Sequence, residues 1–280
     1  MLRFGGPVFT DASDPIALAM AHKAKGYTAA YAPPLKLADA DGIRAYRQAF
    51  EAHDIMIAEV GFWRNMLDTD EPARRANRRS MAEALAVAEE LGARCAVNLC
   101  GSYCRGDSGT HTARNFSQEA FDEAVQMARS FIDEVKPRRA FLAYEIFPFN
   151  VVDSPQGIAR LVQAVDRKQF GVHLDLANLI NGPRAYWTSG DIMRECIRLF
   201  GDRIVSAHAK DIRMKTPSIS VILEEVIAGT GMLDIAACLR ELNQLPRVVP
   251  YMMEHLESQQ QYDQAAAHIR SVAAAEGINL

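Results

Sequence analysis

The chain has 280 residues, 49% of them hydrophobic, and its formal net charge is −4. This mildly acidic balance disfavours a nucleic-acid partner, because sequence-independent binding needs many Lys and Arg contacts to phosphates. No apolar run approaches the ~18 residues of a membrane span, so we expect no membrane association. The apolar residues are spread evenly and no stretch resembles a linker, which predicts a single domain over residues 1–280.

Five cysteines and the N-terminal segment bear on the cellular location. The cysteines are odd in number and lack the spacing of a disulfide framework, which favours a reducing compartment. The first residues lack the long apolar core of a secretory signal. Together these features predict a cytoplasmic protein.

Short apolar runs alternate with longer amphipathic stretches along the whole chain. In chain order, the predicted strands are 2–4, 28–32, 55–60, 95–99, 141–145, 170–175, 204–209 and 248–254. The predicted helices between and after them are 14–25, 39–53, 71–91, 117–135, 154–166, 189–200, 234–242 and 259–276. Eight strands interleaved with eight helices predict an α/β fold, a single (β/α)8 barrel. Two connections, 101–116 and 212–234, are longer than such a barrel needs and are expected to form a lid or a pocket wall.

Four predicted strands carry, at or next to their carboxyl end, a residue that can bind a metal ion. Glu145, Asp175 and Glu254 offer carboxylates, and His208 offers an imidazole. Reactive groups of such barrels sit at the carboxyl ends of the strands, so the four side chains are expected to meet. Oxygen donors with one imidazole predict one divalent cation, Mn²⁺ first, with Mg²⁺ and Co²⁺ as alternatives.

This donor set also predicts a type of chemistry. A cation that binds two adjacent oxygens of a hydroxyketone polarises the carbonyl and stabilises the enediolate that forms when a neighbouring C–H loses its proton. Glu145 and Glu254 come from the fifth and eighth strands, so they can flank a substrate as its acid and base. We therefore expect isomerisation or epimerisation of a small sugar, keto sugar or cyclitol.

Several further residues are candidates for substrate contacts. His173 shares strand parity with Asp175, and Lys210 shares it with His208, so both can face the same pocket. Glu59 ends the third strand close to Trp63, and a carboxylate beside an aromatic wall is a common way to hold a sugar. An alternative remains open for each residue. His173 could be a buried structural histidine, Lys210 a lysine that reaches solvent, and Glu59 part of a salt bridge at the rim. His255 follows Glu254 directly and is expected to point to the opposite side.

Four segments resemble a known family. GVHLDLAN, SAHAKDIR, GTGMLD and MMEHLE are similar to the sugar phosphate isomerase/epimerase family of xylose-isomerase-like TIM barrels. The resemblance implies that Glu145, Asp175, His208 and Glu254 bind the metal and that the two glutamates are the acid/base pair. It also implies a homo-oligomer, either a dimer or a tetramer.

The resemblance extends to two more positions. Asn178 stands where epimerases often place a histidine that contacts substrate; an asparagine can still hydrogen-bond a hydroxyl but does not titrate near neutral pH. Arg213 matches a substrate-binding arginine of several members, and a surface arginine is the alternative.

Three other functions deserve comparison. A lyase or dehydratase acting on a keto sugar or inosose, or cleaving a 3-keto-glycoside, begins with the same proton abstraction, so the sequence does not separate it from an isomerase. A non-catalytic sugar-binding barrel would have little need for all four ligands. Metal-dependent AP endonucleases share the barrel but use a histidine-rich site, and Asn178 replaces one histidine of that pattern.

Overall fold

The structure, a computed structural model, describes residues 1–11 and 13–280. Within these residues the chain forms ten strands: β1 Leu2–Gly5, β2 Ala29–Tyr31, β3 Met56–Gly61, β4 Cys95–Asn98, β5 Phe141–Glu145, β6 Phe170–Asp175, β7 Ile204–Ala209, β8 Asp211–Met214, β9 Leu223–Val226 and β10 Val249–Met253. Eight of them close into a barrel in the spatial order β1-β10-β7-β6-β5-β4-β3-β2. Every pair in this barrel is parallel. The predicted α/β barrel is confirmed, and the single domain over residues 1–280 stays a prediction.

Helices connect the strands on the outside of the barrel. The α-helices of the described residues are α1 Pro15–Ala24, α2 Ala40–Ala52, α3 Glu71–Leu91, α4 Gln118–Val135, α5 Pro155–Val165, α6 Pro183–Trp187, α7 Ser189–Phe200, α8 Ile235–Asn243 and α9 Gln259–Ala275. None of these helices has the length and apolar character required to span a bilayer.

Local chemistry explains where several helices begin and end. The carboxylate of Asp14 accepts the backbone N–H groups of Ile16 and Ala17, and Pro15 occupies the first helical position of α1. The same capping contact occurs at the starts of α4, α5, α8 and α9, from Ser117, Ser154, Asp234 and Ser258. Gly92 ends α3 with a φ of 77°, a left-handed conformation that favours glycine.

The barrel strands are buried because side chains fill the interior and helices cover the exterior. All residues of β6 and β7 are buried, as expected for parallel strands enclosed on both faces. A small apolar cluster of Cys95, Val97, Ala143 and Val205, from β4, β5 and β7, is separate from the main core. Polar side chains occur further along the same strands, which places the candidate site at their carboxyl ends.

The long connection after β7 has structure of its own. Strands β8 and β9 pair antiparallel, with Arg213 opposite Glu224, and form a hairpin outside the barrel. This hairpin was not predicted, because its two short strands lack the apolar runs that mark the barrel strands. The last barrel strand ends at Met253 rather than at Glu254, so Glu254 lies in the connection that follows.

Candidate metal centre

The four predicted metal ligands meet at the carboxyl ends of neighbouring strands. Glu145 and Asp175 are the last residues of β5 and β6, His208 lies near the end of β7, and Glu254 directly follows β10. These strands lie side by side in the order β10-β7-β6-β5. One ligand atom from each side chain lies within 4.8 Å of the others.

The imidazole of His208 stands at the middle of this cluster. Its Nδ1 atom lies 2.7 Å from Glu254 Oε1, 3.3 Å from Glu145 Oε1 and 3.5 Å from Asp175 Oδ2. Ligand atoms that each lie about 2.1 Å from an octahedral ion are separated from one another by roughly 3 Å. The spacing of the cluster therefore matches that of ligands around one divalent cation.

The buried atoms around His208 indicate what the cluster can hold. Asp175 Oδ2, His208 Nδ1 and Glu254 Oε1 are buried and make no hydrogen bond of regular geometry, although both carboxylate oxygens lie within ion-pair distance of the Lys210 ammonium. Buried polar atoms without a partner are costly and uncommon in folded proteins. A cation among these three atoms would satisfy all of them, so the residues fit a divalent metal ion.

Lys210 brings a positive charge to the same cluster. Its Nζ atom lies 2.7 Å from Glu254 Oε1, 2.9 Å from Asp175 Oδ2 and 3.1 Å from Glu225 Oε1. The side chain is 4% exposed, so its ammonium does not extend into solvent. Burial alone would lower the pKa of Lys210, but the three carboxylates outweigh burial and raise it.

The charged groups of the cluster shift one another's pKa values. Burial raises the pKa of Glu145 above its ordinary value. Burial would also raise those of Asp175 and Glu254, but His208 and Lys210 outweigh burial and lower both. The acidic side chains around His208 likewise overcome its burial and raise its pKa. The side chains of His208 and Lys210 thus offset the dense negative charge of the carboxylates.

A second polar group lies behind His208, inside the barrel. Glu59 on β3 is 1% exposed; its Oε1 lies 3.4 Å from His208 Nε2, and its Oε2 lies 3.2 Å from His173 Nδ1. Ser206 donates a 3.0 Å hydrogen bond to Glu59 Oε2. Burial would raise the pKa of Glu59, but the two histidines outweigh burial and lower it.

The structure separates Glu59 from the aromatic wall suggested by the sequence. Glu59 contacts two histidines and a serine, whereas Trp63, in the connection after β3, is 45% exposed. His173 is fully buried, and its ring centroid lies 4.0 Å from that of His208. Glu59 and His173 therefore lie behind the predicted ligands.

The remaining predicted substrate contacts fall in two different places. Asn178 donates hydrogen bonds to Glu145 Oε1 at 3.1 Å and to the carbonyl of Ile146 at 3.0 Å. It thus belongs to the cluster and orients one of its carboxylates. Arg213 has a side chain that is 57% exposed, and within the described residues its ion-pair partner is Glu224 at 4.0 Å. Arg213 is therefore not brought to the cluster.

Two neighbours of the cluster were missed or misplaced by the sequence interpretation. The expected direction of His255 is wrong: the backbone turns at this residue, with a φ of 57°, and His255 Nε2 lies 3.3 Å from Glu254 Oε2. Strand parity does not apply there because β10 has already ended. Glu225 contacts both Lys210 and His255, and only recognition of the hairpin could have placed it at the site.

Comparisons with known proteins agree with this architecture. The model of a family described as xylose isomerase-like TIM barrel matches residues 17–272. No curated protein sequence matches the chain.

Three solved structures illustrate the likeness in fold. An L-ribulose 3-epimerase has a TM-score of 0.72 at 14% identity, covering 99% of this chain and 96% of that chain. A xylose isomerase-like TIM barrel protein from Mycobacterium smegmatis in complex with magnesium has a TM-score of 0.67 at 14% identity, covering 91% and 86%. Endonuclease IV from Thermus thermophilus has a TM-score of 0.68 at 17% identity, covering 98% and 99%. At these identities the likeness shows the fold alone.

Proposed function

The chain belongs to the xylose isomerase-like TIM barrel family, and on that premise we propose that it is a divalent-metal-dependent isomerase or epimerase of a keto sugar, another sugar or a cyclitol. The observation that carries the proposal is the convergence of three carboxylates and His208 at the carboxyl end of the barrel, where one ligand atom from each side chain lies within 4.8 Å of the others. The likeness in fold to an L-ribulose 3-epimerase supports the same reaction class.

Glu145, Asp175, His208 and Glu254 would hold one divalent cation. Mn²⁺ is the first candidate, with Mg²⁺ and Co²⁺ as alternatives, because oxygen donors with a single imidazole suit these ions. A magnesium complex of a protein with the same fold supports this class of ion. When bound, the ion would supply Lewis-acid polarisation of a substrate carbonyl.

The two glutamates are proposed as the proton-transfer groups. Glu145 ends β5 and Glu254 directly follows β10, the two outer strands of the row β10-β7-β6-β5, so a substrate held above the inner two strands would lie between their carboxylates. Glu254 would remove a proton from the carbon beside the carbonyl, and Glu145 would return one from the facing side. If the proton returns to the same carbon from the facing side, the configuration of that carbon is inverted. If it returns to the adjacent carbon, the sugar is isomerised.

Other side chains are proposed to hold the substrate. Lys210 presents an ammonium to the cluster and can donate to a substrate oxygen. Asn178 can offer its amide to a hydroxyl while it orients Glu145. Trp63 is proposed as an apolar wall and Arg213 as a more distant contact from the hairpin, whereas the burial of Glu59 and His173 favours a supporting role.

The remaining features of the proposal concern partners and location. A net charge of −4 favours a small-molecule substrate over nucleic acid, although endonuclease IV shares the fold. Five free cysteines favour the cytoplasm. The exposed Trp187 supports a homo-oligomer, because large exposed apolar side chains are typical of interfaces.

Solvent deuterium exchange tests the proposal. Metal-loaded protein is incubated with a panel of ketoses and inososes in D₂O, and the loss of each C–H signal is followed by proton NMR. We expect exchange at the carbon beside the carbonyl of at least one substrate, and its abolition in Glu254→Gln, because an amide cannot accept the proton. Glu257→Gln, an exposed carboxylate-to-amide change three residues away, serves as the matched control.

The outcomes separate the candidate reactions. Exchange by Glu254→Gln at the wild-type rate would remove Glu254 as the base, and no exchange with any substrate would contradict the proposed chemistry. A product that has lost water or an aglycone would assign the protein to the lyases.

A further inference from the structure

We propose that Glu59 is a positioning residue, which holds His208 so that its Nδ1 atom faces the metal centre with a free lone pair. This inference rests on the metal centre of the proposed function. It assigns Glu59 a role different from the substrate contact that the sequence suggested.

The contacts around His208 define this role. The two nitrogens of its ring face in different directions: Nε2 lies 3.4 Å from Glu59 Oε1, and Nδ1 faces the carboxylates of Glu145, Asp175 and Glu254. A metal ion shared with these carboxylates would need the lone pair of Nδ1, which leaves the one proton of the neutral ring on Nε2. Glu59 Oε1 stands where it can accept that proton as a hydrogen bond and so fix the ring in this orientation.

The surroundings of Glu59 hold its carboxylate in place. Ser206 donates to Oε2, and His173 lies against the same oxygen, while Oε1 remains directed at His208. Ser206 and His208 belong to β7, whereas Glu59 belongs to β3 across the barrel. The contact therefore links two distant strands through the interior, where side-chain positions are set by close packing.

A second metal site is the main competing interpretation of the same residues. Glu59, His173 and His208 form a group whose ligand atoms are close enough to share an ion. For two ions to be bound, however, His208 would have to bind both through one ring and lose both ring protons. Each oxygen of Glu59 instead faces a different histidine, and Oε2 already accepts the Ser206 hydroxyl. This pattern favours hydrogen bonding over coordination.

Metal affinity in isosteric variants tests the proposal. Chelator-stripped wild type, Glu59→Gln and Glu59→Met are titrated with Mn²⁺ by calorimetry, and the folding of each is checked by thermal unfolding. We expect one Mn²⁺ per wild-type chain, about tenfold weaker binding in Glu59→Gln and a loss approaching 100-fold in Glu59→Met, whose thioether sulfur is only a weak acceptor. Glu59→Gln retains the shape of the side chain, so the titration can be judged on this variant if Glu59→Met does not fold.

A control and a spectroscopic measurement separate positioning from general stability. Asp68→Asn changes another buried carboxylate, which accepts the backbone N–H groups of Asp70 and Gly106, and should leave Mn²⁺ affinity unchanged. In Mg²⁺-loaded protein with ¹⁵N-labelled histidine, the NMR signal of His208 is assigned as the one that is missing from His208→Asn. We expect this ring to carry its proton on Nε2. Glu59→Met should weaken this preference.

Each outcome tests a different part of the account: the positioning role of Glu59, its possible role as a ligand, or the metal centre itself. Wild-type Mn²⁺ affinity and an unchanged His208 tautomer in both Glu59 variants would overturn the positioning role alone. Two Mn²⁺ per wild-type chain, with one lost in Glu59→Gln, would make Glu59 a ligand instead. No metal binding by wild type would overturn the proposed function and this inference with it.

Discussion

At the scale of the residue, His22 illustrates how burial alone changes a side chain. It lies on α1, is 3% exposed, and its ring packs near those of Tyr27 and Phe50, with centroids 6.2 and 6.0 Å away. Its Nδ1 atom has no hydrogen-bond partner. Burial lowers the pKa of His22 to about 4, because the charged form loses its hydration.

This shift predicts a pH dependence of stability. The unfolded chain binds a proton on His22 near pH 6.5 and the folded chain only near pH 4, so the contribution is fully present above pH 6.5 and is lost as the pH falls towards 4. Its size is at most about 3.5 kcal/mol, at about 1.4 kcal/mol for each pKa unit between 6.5 and about 4. In His22→Leu, the free energy of unfolding measured in urea should fall less between pH 7 and pH 4 than in wild type. Parallel curves for the two proteins would contradict the prediction.

The site residues show how far a sequence can predict a centre. Glu145, Asp175, His208 and Glu254 were recognisable because each ends or closely follows an apolar run in its own βα unit. The partners of Glu59 were not recognisable, because they depend on how β3 faces β6 and β7 across a closed barrel. The direction of His255 was wrong because a single backbone turn after β10 cancels strand parity.

At the scale of the element, Asp211 organises the hairpin connection. Its carboxylate accepts four backbone N–H groups, those of Ile212, Gly229, Gly231 and Leu233, at 2.9 to 3.0 Å. A Cβ atom at Gly231 would lie 2.3 Å from Asp211 Oδ1, so this close approach requires glycine. One buried carboxylate therefore closes the whole segment between β7 and α8.

Replacement of this carboxylate should loosen the hairpin. Asp211→Asn keeps one accepting oxygen and leaves at least one buried N–H group unpaired, so we expect a loss of about 2 kcal/mol in unfolding free energy. Hydrogen exchange of the amides in residues 211–233 should become faster than in wild type. Asp202→Asn, at an exposed position near β7, should change stability by no more than about 0.5 kcal/mol. Unchanged exchange in Asp211→Asn would show that the carboxylate does not hold the segment.

The elements also differ in how well the sequence predicted them. All eight barrel strands were predicted, because burial on both faces produces apolar runs. The strands β8 and β9 lie outside the barrel, and the charged pair Glu224 and Glu225 interrupts any apolar run in β9. Their position over the site, through Glu225 and Lys210, is a tertiary feature that no local pattern carries.

At the scale of the whole molecule, the barrel concentrates negative charge at one end. Four buried or half-buried carboxylates, those of Glu59, Glu145, Asp175 and Glu254, surround His208, with Lys210 as the compensating ammonium. Carboxylates gathered in this way repel one another unless cations neutralise them. The central claim is therefore that a divalent cation completes this end of the barrel and stabilises the folded chain.

Thermal unfolding of chelator-stripped protein with and without Mn²⁺ tests this claim most directly. An ion that binds only the folded chain, at about 100 times its Kd, stabilises by about 2.7 kcal/mol, which predicts a rise in Tm of roughly 5–10 °C for wild type. Asp175→Asn keeps the side-chain shape and the oxygen that accepts the N–H of Ala177 but loses a charged ligand, so its Tm should hardly change with Mn²⁺. An equal rise in both proteins would place the ion elsewhere, and no rise in wild type would contradict the metal centre itself.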